Sequence, residues 1–237
     1  MSEIFQLKQF IIQQDKSAMK VGTDSLLLGC FTEINGASTI LDIGTGTGIL
    51  ALMMAQKSSA KIDAVELDEG AFEEATLNFK ASKWSNKIKA YHTSIQQFDS
   101  KISYDLIISN PPFYVEENNI KITNTKRAKA RQDKDLPFDS LCDEVMKRLS
   151  DKGKFWLILP TDEAEVFLAI AKKAKLFLQG EILIKPKPSK SINRIVMCFG
   201  KTKSEMYSDI FTVYDDAGTS TEDYYELTKE FLLWKRR

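Results

Sequence analysis

Asn110-Pro111-Pro112-Phe113 brings two hydrogen-bond acceptors and an aromatic ring together in four residues. The Asn side-chain carbonyl and the Pro111 main-chain carbonyl can each take a hydrogen, and the Phe113 ring offers a stacking face. Two successive prolines fix the backbone, so these groups are held in place. Such a set suits a flat group that carries an NH2: adenine, cytosine, guanine or a primary amide. Alone, Asn-Pro-Pro is more often a strand-ending turn than a binding site. The residues before it, Tyr104-Asp105-Leu106-Ile107-Ile108-Ser109, read as a buried parallel strand that stops at this breaker.

A second constellation lies upstream. Leu41-Asp42-Ile43-Gly44-Thr45-Gly46-Thr47-Gly48 separates a predicted strand from a predicted helix, where glycines allow a tight turn and close backbone approach to a ligand. The spacing is Gly-x-Gly-x-Gly, which departs from the dinucleotide Gly-x-Gly-x-x-Gly. Asp42 ahead of the glycines would repel a pyrophosphate and attract a cation. S-adenosylmethionine, with its ammonium and sulfonium groups, is a ligand of that kind. Glu66 ends the following strand, where a carboxylate can accept both hydroxyls of a ribose, and Leu67 beside it can pack on adenine.

Composition narrows the chemistry. The chain has 237 residues, 43% hydrophobic and 28% charged, with Lys+Arg and Asp+Glu balanced at 33 each, so any pull on nucleic acid must be local. His92 is the only histidine. That argues against a Ser/His or Cys/His pair and against a metal site. Cys30, Cys142 and Cys198 are scattered without CxxC spacing and read as reduced, buried thiols. No run is long enough to span a membrane, and the first residues lack a signal pattern, so a cytoplasmic protein is expected.

The elements that must position these residues follow from periodicity. Residues 4–14 suggest a short strand or hairpin arm. A helix is expected from Ser25 to about Ile34, with Thr23 or Asp24 as its N-cap. Strands are predicted at 39–43, 61–66, 87–92, 104–109, 154–160, 181–185 and 194–200. Helices are predicted at 48–57, 69–83, 138–149, 162–176 and 222–235. This order predicts an α/β, doubly wound, Rossmann-like fold with a mostly parallel seven-stranded sheet and helices on both faces. The last two strands have no helix between them and should form an antiparallel hairpin. Residues 1–35 would be an N-terminal extension and 36–237 the catalytic domain.

Two basic stretches interrupt the regularity. One, after Phe113, contains Lys126, Arg127, Lys129 and Arg131; the other contains Lys187 and Arg194. Charged loops are usually solvated surface. The first, however, leaves the carboxyl end of a strand, where ligands of open α/β sheets bind.

With these residues in place, the chain resembles the class I S-adenosylmethionine-dependent methyltransferases of the amino-methylating branch. More narrowly, it is similar to the bacterial tRNA(Val) adenine-N6 methyltransferases, which modify the adenosine just 3′ of the anticodon. The narrower likeness rests on Met19-Lys20-Val21-Gly22-Thr23-Asp24, the Leu41–Gly48 loop, Ser109–Phe113 and Arg131. It implies S-adenosylmethionine as cofactor, tRNA as partner and no metal. Asn110, Pro111, Pro112 and Phe113 would be the catalytic residues. The cofactor set would be Lys20, Thr23, Asp24, Asp42, Gly44, Thr45, Gly46, Gly48, Glu66, Leu67, Ser94 and Asn110, with residues 1–35 covering it. The RNA set would be Lys126, Arg127, Lys129, Arg131, Lys187 and Arg194. Ser94 stands where the family usually has an acid. The competing readings are a guanine-N2 or release-factor glutamine methyltransferase, a non-catalytic cofactor-binding module in RNA processing, and a nicotinamide dehydrogenase.

Overall fold

The apolar runs of the sequence become neighbouring strands of a single sheet. A computed structural model describes residues 3–112 and 136–234. The chain opens with a two-stranded antiparallel hairpin, β1 (Ile4–Gln6) and β2 (Ile11–Gln13). The elements that follow are α1 (Thr23–Phe31), β3 (Thr39–Ile43), α2 (Ile49–Lys57), β4 (Lys61–Glu66), α3 (Glu69–Ala81), β5 (Ile88–His92) and β6 (Tyr104–Ser109). Then come α4 (Phe138–Arg148), β7 (Leu149–Pro160), α5 (Thr161–Lys173), β8 (Phe177–Lys185), β9 (Arg194–Gly200), β10 (Tyr207–Thr212) and α6 (Glu222–Thr228).

The main sheet has the order β10-β8-β9-β7-β6-β3-β4-β5. β5, β4, β3, β6 and β7 are mutually parallel, and β9 runs antiparallel to both β7 and β8. The expected hairpin is thus present as β8–β9. The sheet has eight strands where seven were expected. The extra one, β10, pairs parallel to β8 at the edge. Its sequence, YSDIFT, is largely exposed, so no apolar run or clean alternation announces it. The last helix stops at Thr228, short of the expected 235. The N-cap of α1 is Gly22, not Thr23 or Asp24, and makes no side-chain cap bond.

Alternation along each strand divides the buried residues between two cores. Ile40, Leu106, Ile108, Trp156 and Ile158 pack with α1, α2 and α3. Leu41, Ile43, Ile107, Phe155 and Leu157 pack with α4 and α5 on the other face. Strands buried on both faces are what long apolar runs such as FWLIL encode. Cys142 and Cys198 are buried, Cys30 is partly buried, and all three are free thiols, as the scattered spacing implied. Among the described residues no helix is long and apolar enough to cross a membrane, and no cluster of potential metal ligands occurs.

Candidate active site

Strand order reverses at the β3–β6 seam: β3 leads through α2 to β4 on one side, while β6 lies on the other. Ligands of open α/β sheets bind at such a switch point, beyond the carboxyl ends of the strands. Register brings the candidate residues to one level. Ile43 pairs with both Val65 and Ser109, so Gly44, Glu66 and Asn110 leave their strands side by side. Ser109 reinforces the seam by donating its hydroxyl to the Ile43 carbonyl at 2.9 Å.

The turn after β3 uses each glycine for a backbone reason. Gly44, Gly46 and Gly48 have φ of 69°, 55° and 86°, the left-handed region that disfavours side chains. At Gly44 and Gly46 an added Cβ would meet nothing within 4 Å, so the turn borders open space. At Gly48 it would lie 2.4 Å from the Phe79 ring, so this glycine lets α3 close onto α2. The Gly44 and Thr45 amides donate to the Val65 carbonyl at 2.9 and 3.1 Å.

Asp42 does not lie in the open. It shares the face of Ile40, beneath α2, and is fully buried. Its Oδ2 accepts from the Thr45 hydroxyl at 2.5 Å and from the Ala51 amide at 3.1 Å. Since Gly48 has no side chain to cap α2, Asp42 supplies that function from the neighbouring strand. Its Oδ1 is buried and without a partner among the described residues. Burial pushes the Asp42 carboxyl up to about 7, the nearby Glu66 adds to the rise, and the Thr45 and Ala51 bonds oppose it.

Glu66 is committed to the main chain as well. Its Oε2 accepts from the Gly46 amide at 2.8 Å, while Oε1 accepts from the Leu67 and Asp68 amides at 2.8 and 2.9 Å. The carboxylate therefore links the glycine turn to the residues that lead into α3. Leu67 is 47% exposed beside it. Ser94 caps a turn after β5, its hydroxyl accepting from the Gln97 amide at 3.3 Å. Arg148 of α4 holds that turn by donating to the Ile95 and Phe98 carbonyls at 2.8 and 2.6 Å.

At the end of β6, Asn110 donates through Nδ2 to Ser25 Oγ on α1 at 3.1 Å. Its Oδ1 is buried and has no partner among the described residues. Pro111 is buried and Pro112 exposed. Phe113, Lys126, Arg127, Lys129 and Arg131 lie outside the described residues.

The N-terminal segment reaches the same end of the sheet. Asp24, in the first turn of α1, pairs with Arg194 at 2.8 Å. Arg194, expected to meet RNA, is thus joined to a residue expected to serve the cofactor. Thr23 is exposed; Lys20, also exposed, pairs with Glu3. Lys187 donates to the Asp216 carbonyl at 3.3 Å.

Two residues that the sequence did not single out tie this segment down. Glu74 of α3, 3% exposed, accepts from the amides of Asp15 and Lys16 at Oε1 and of Ser17 at Oε2. Asn78, one turn on, accepts from the Gln13 amide at 2.9 Å and donates to the Thr47 carbonyl of the glycine turn at 2.8 Å. The available signal was a pair of polar residues four apart on the face of α3 that also carries Ala71, Ala75 and Phe79.

The methyltransferase small domain family model matches residues 16–164. A tRNA1(Val) (adenine(37)-N6)-methyltransferase of Flavobacterium psychrophilum is 42% identical, covering 97% of this chain and 99% of the relative. One from Trichodesmium erythraeum is 41% identical, covering 97% of each. Among solved structures, a predicted O-methyltransferase of Agrobacterium tumefaciens superposes with a TM-score of 0.69 at 15% identity, over 90% of this chain and 99% of that one. P. horikoshii TYW2 in complex with MeSAdo gives 0.59 at 15% identity, over 85% and 72%. At that identity the structural likeness speaks for the fold, while the curated relatives speak for descent. The chain belongs to the methyltransferase small domain family and, within it, to the family of the tRNA1(Val) (adenine(37)-N6)-methyltransferases.

Proposed function

We propose that this methyltransferase uses S-adenosylmethionine to methylate the exocyclic N6 of adenosine in tRNA, at the adenosine 3′ of the anticodon of a valine tRNA. The observation that carries the reading is the buried Oδ1 of Asn110, without a partner among the described residues, beside the β3–β6 seam. A buried acceptor without a partner is costly unless a ligand completes it.

The residues present fit the cofactor. Space borders Gly44 and Gly46, and Asp42 Oδ1 is a second buried oxygen without a partner among the described residues, on the adjacent strand. Asp42, Gly44, Thr45, Gly46, Gly48 and Glu66 would form its cradle, with Leu67, Ser94 and Asn110 at the rim. Asp42 and Glu66 contribute chiefly by fixing the turn, through the bonds described above. Residues 1–35, including Lys20, Thr23 and Asp24, would cover this cradle. When bound, S-adenosylmethionine supplies an electrophilic methyl group.

The adenine amine is a poor nucleophile because its lone pair is delocalised into the ring. Asn110 Oδ1 and the Pro111 carbonyl accept its two hydrogens, which draws the lone pair out of conjugation and stabilises positive charge developing on nitrogen. Phe113 would stack on the base and set its angle of attack. The nitrogen can release its proton to water afterwards, so no histidine is required. An unstacked anticodon-loop base is open to such treatment, and Lys126, Arg127, Lys129, Arg131 and Lys187 would hold the phosphates. Arg194 would contribute only if it left Asp24.

The test supplies the protein with tritium-methyl S-adenosylmethionine and, separately, unmodified valine tRNA, ribosomal RNA and release factor, then digests the labelled product for nucleoside mass spectrometry. Label recovered as N6-methyladenosine 3′ of the anticodon is the expected result. Label in guanosine or in a glutamine amide would transfer the assignment to that substrate.

A further inference from the structure

We propose that Ser25 is a positioning residue for methyl transfer, holding the Asn110 amide with its oxygen toward the substrate amine. The inference rests on the reading of Asn110 given above. Turned by half a rotation about χ2, an Asn amide presents two N–H donors where its oxygen had been. The exocyclic amine of a base is also a donor in this encounter. A rotated Asn110 would therefore oppose donor to donor and lose the interaction that draws out the lone pair.

Asn110 sits at the end of β6, next to two prolines that limit the backbone but do not touch χ2. The side chain needs a separate fixture. Ser25 Oγ provides one by accepting from Nδ2 at 3.1 Å, which leaves Oδ1 bare. Ser25 is 9% exposed, so water competes little for this bond.

The support is itself immobile. α1 carries Ser25 in its first turn and buries Leu26, Leu27 and Leu28 in the core. Gly29 brings the helix so close to α2 that an added Cβ would lie 2.5 Å from Met53 Sδ. On the other side of Ser25, Asp24 is tied to Arg194. A hydroxyl on a fixed helix thus anchors an amide on a fixed strand, and by accepting from Nδ2 it supports the rotamer in which Oδ1 meets the donor hydrogens of the substrate amine.

The experiment compares single-turnover methyl transfer to valine tRNA in wild type, Ser25→Ala, Ser25→Cys and Asn110→Ala. Affinities for S-adenosylhomocysteine and for tRNA are measured on each. Alanine favours helix more than serine does, and cysteine matches serine in size with a weaker acceptor, so both variants should fold. Ser25→Ala should slow the chemical step about tenfold, the equivalent of one hydrogen bond, with both affinities within about twofold of wild type. Ser25→Cys should fall between. An unchanged chemical step in Ser25→Ala would overturn the proposal. So would a slow step matched by equal loss of S-adenosylhomocysteine affinity, since Ser25 would then serve the packing of α1. Rapid transfer by Asn110→Ala would instead refute the role of Asn110 itself, a separate failure.

Discussion

The two halves of the switch point are built on opposite rules. On the β3–β4 side, polar side chains are spent on main-chain groups: Asp42 on Ala51, Glu66 on Gly46, Leu67 and Asp68, Asn78 on Thr47 and Gln13. On the β6 side, among the described residues, Asn110 makes one side-chain bond, to Ser25, and leaves its oxygen bare. The first half is a shape fixed from within, with Asp42 Oδ1 left unpartnered among the described residues. The second is an unfinished hydrogen-bond set. Internal bonding suits a loop that must keep its form with or without ligand. An unsatisfied acceptor suits a step in which charge develops and has to be met at once.

The contrast predicts that damage will fall on different quantities in the two halves. The largest effect should come from Asn110→Ala, which should lower the methyl-transfer rate by about a hundredfold to a thousandfold, a range typical of removing one preorganised polar group. Its denaturation midpoint and S-adenosylhomocysteine affinity should move far less, because Asn110 stands only at the rim of the cradle and gives up a single bond, to Ser25. A variant equally impaired in cofactor binding would erase the distinction.

Glu74→Ala should do the reverse. Three amides, those of Asp15, Lys16 and Ser17, would lose a buried acceptor, at a cost of about 3 kcal/mol in urea unfolding. The chemical step, measured with saturating substrates well below the new midpoint, should change far less than in Asn110→Ala. A rate collapse with intact stability would place Glu74 in the reacting half.

The most gradual effect, spread over several pH units, concerns pH. Burial holds the Asp42 carboxyl at about 7 against an ordinary 3.8, so the folded chain keeps a proton that the unfolded chain has already released. The corresponding stability is full below about 3.8 and is lost as pH rises through about 7. Asp42→Asn abolishes that titration while keeping an acceptor for Thr45 and Ala51. Relative to Asp42→Asn, wild type should therefore lose stability between these two values, by at most about 1.4 kcal/mol per pH unit. Parallel stability curves would mean that Asp42 stays ionised in the fold, with its charge accommodated at the start of α2.

Much of this molecule was legible beforehand because its signals are local. Gly-x-Gly-x-Gly needs positive φ, Asn-Pro-Pro stops a strand, and apolar runs buried on both faces mark parallel strands. β10 was missed for the converse reason. It is an exposed edge strand whose place depends on β8, far from it in sequence. Glu74 and Asn78 were missed because a polar pair on a helix normally faces solvent, and nothing nearby in the chain shows that residues 13–17 will cover them. Arg194 looked like a free cation only because its partner, Asp24, lies 170 positions away.

By itself the sequence determined the fold class, the order of strands and helices up to β9, and which residue types gather at the strand ends. Short-range sterics and periodicity are enough for that. Only the tertiary structure decided how the polar residues are used: Asp42 under a helix, Glu66 on the turn, Asn110 held by Ser25 with its oxygen free. Hydrogen bonds between distant segments are set by packing, and packing has no local code.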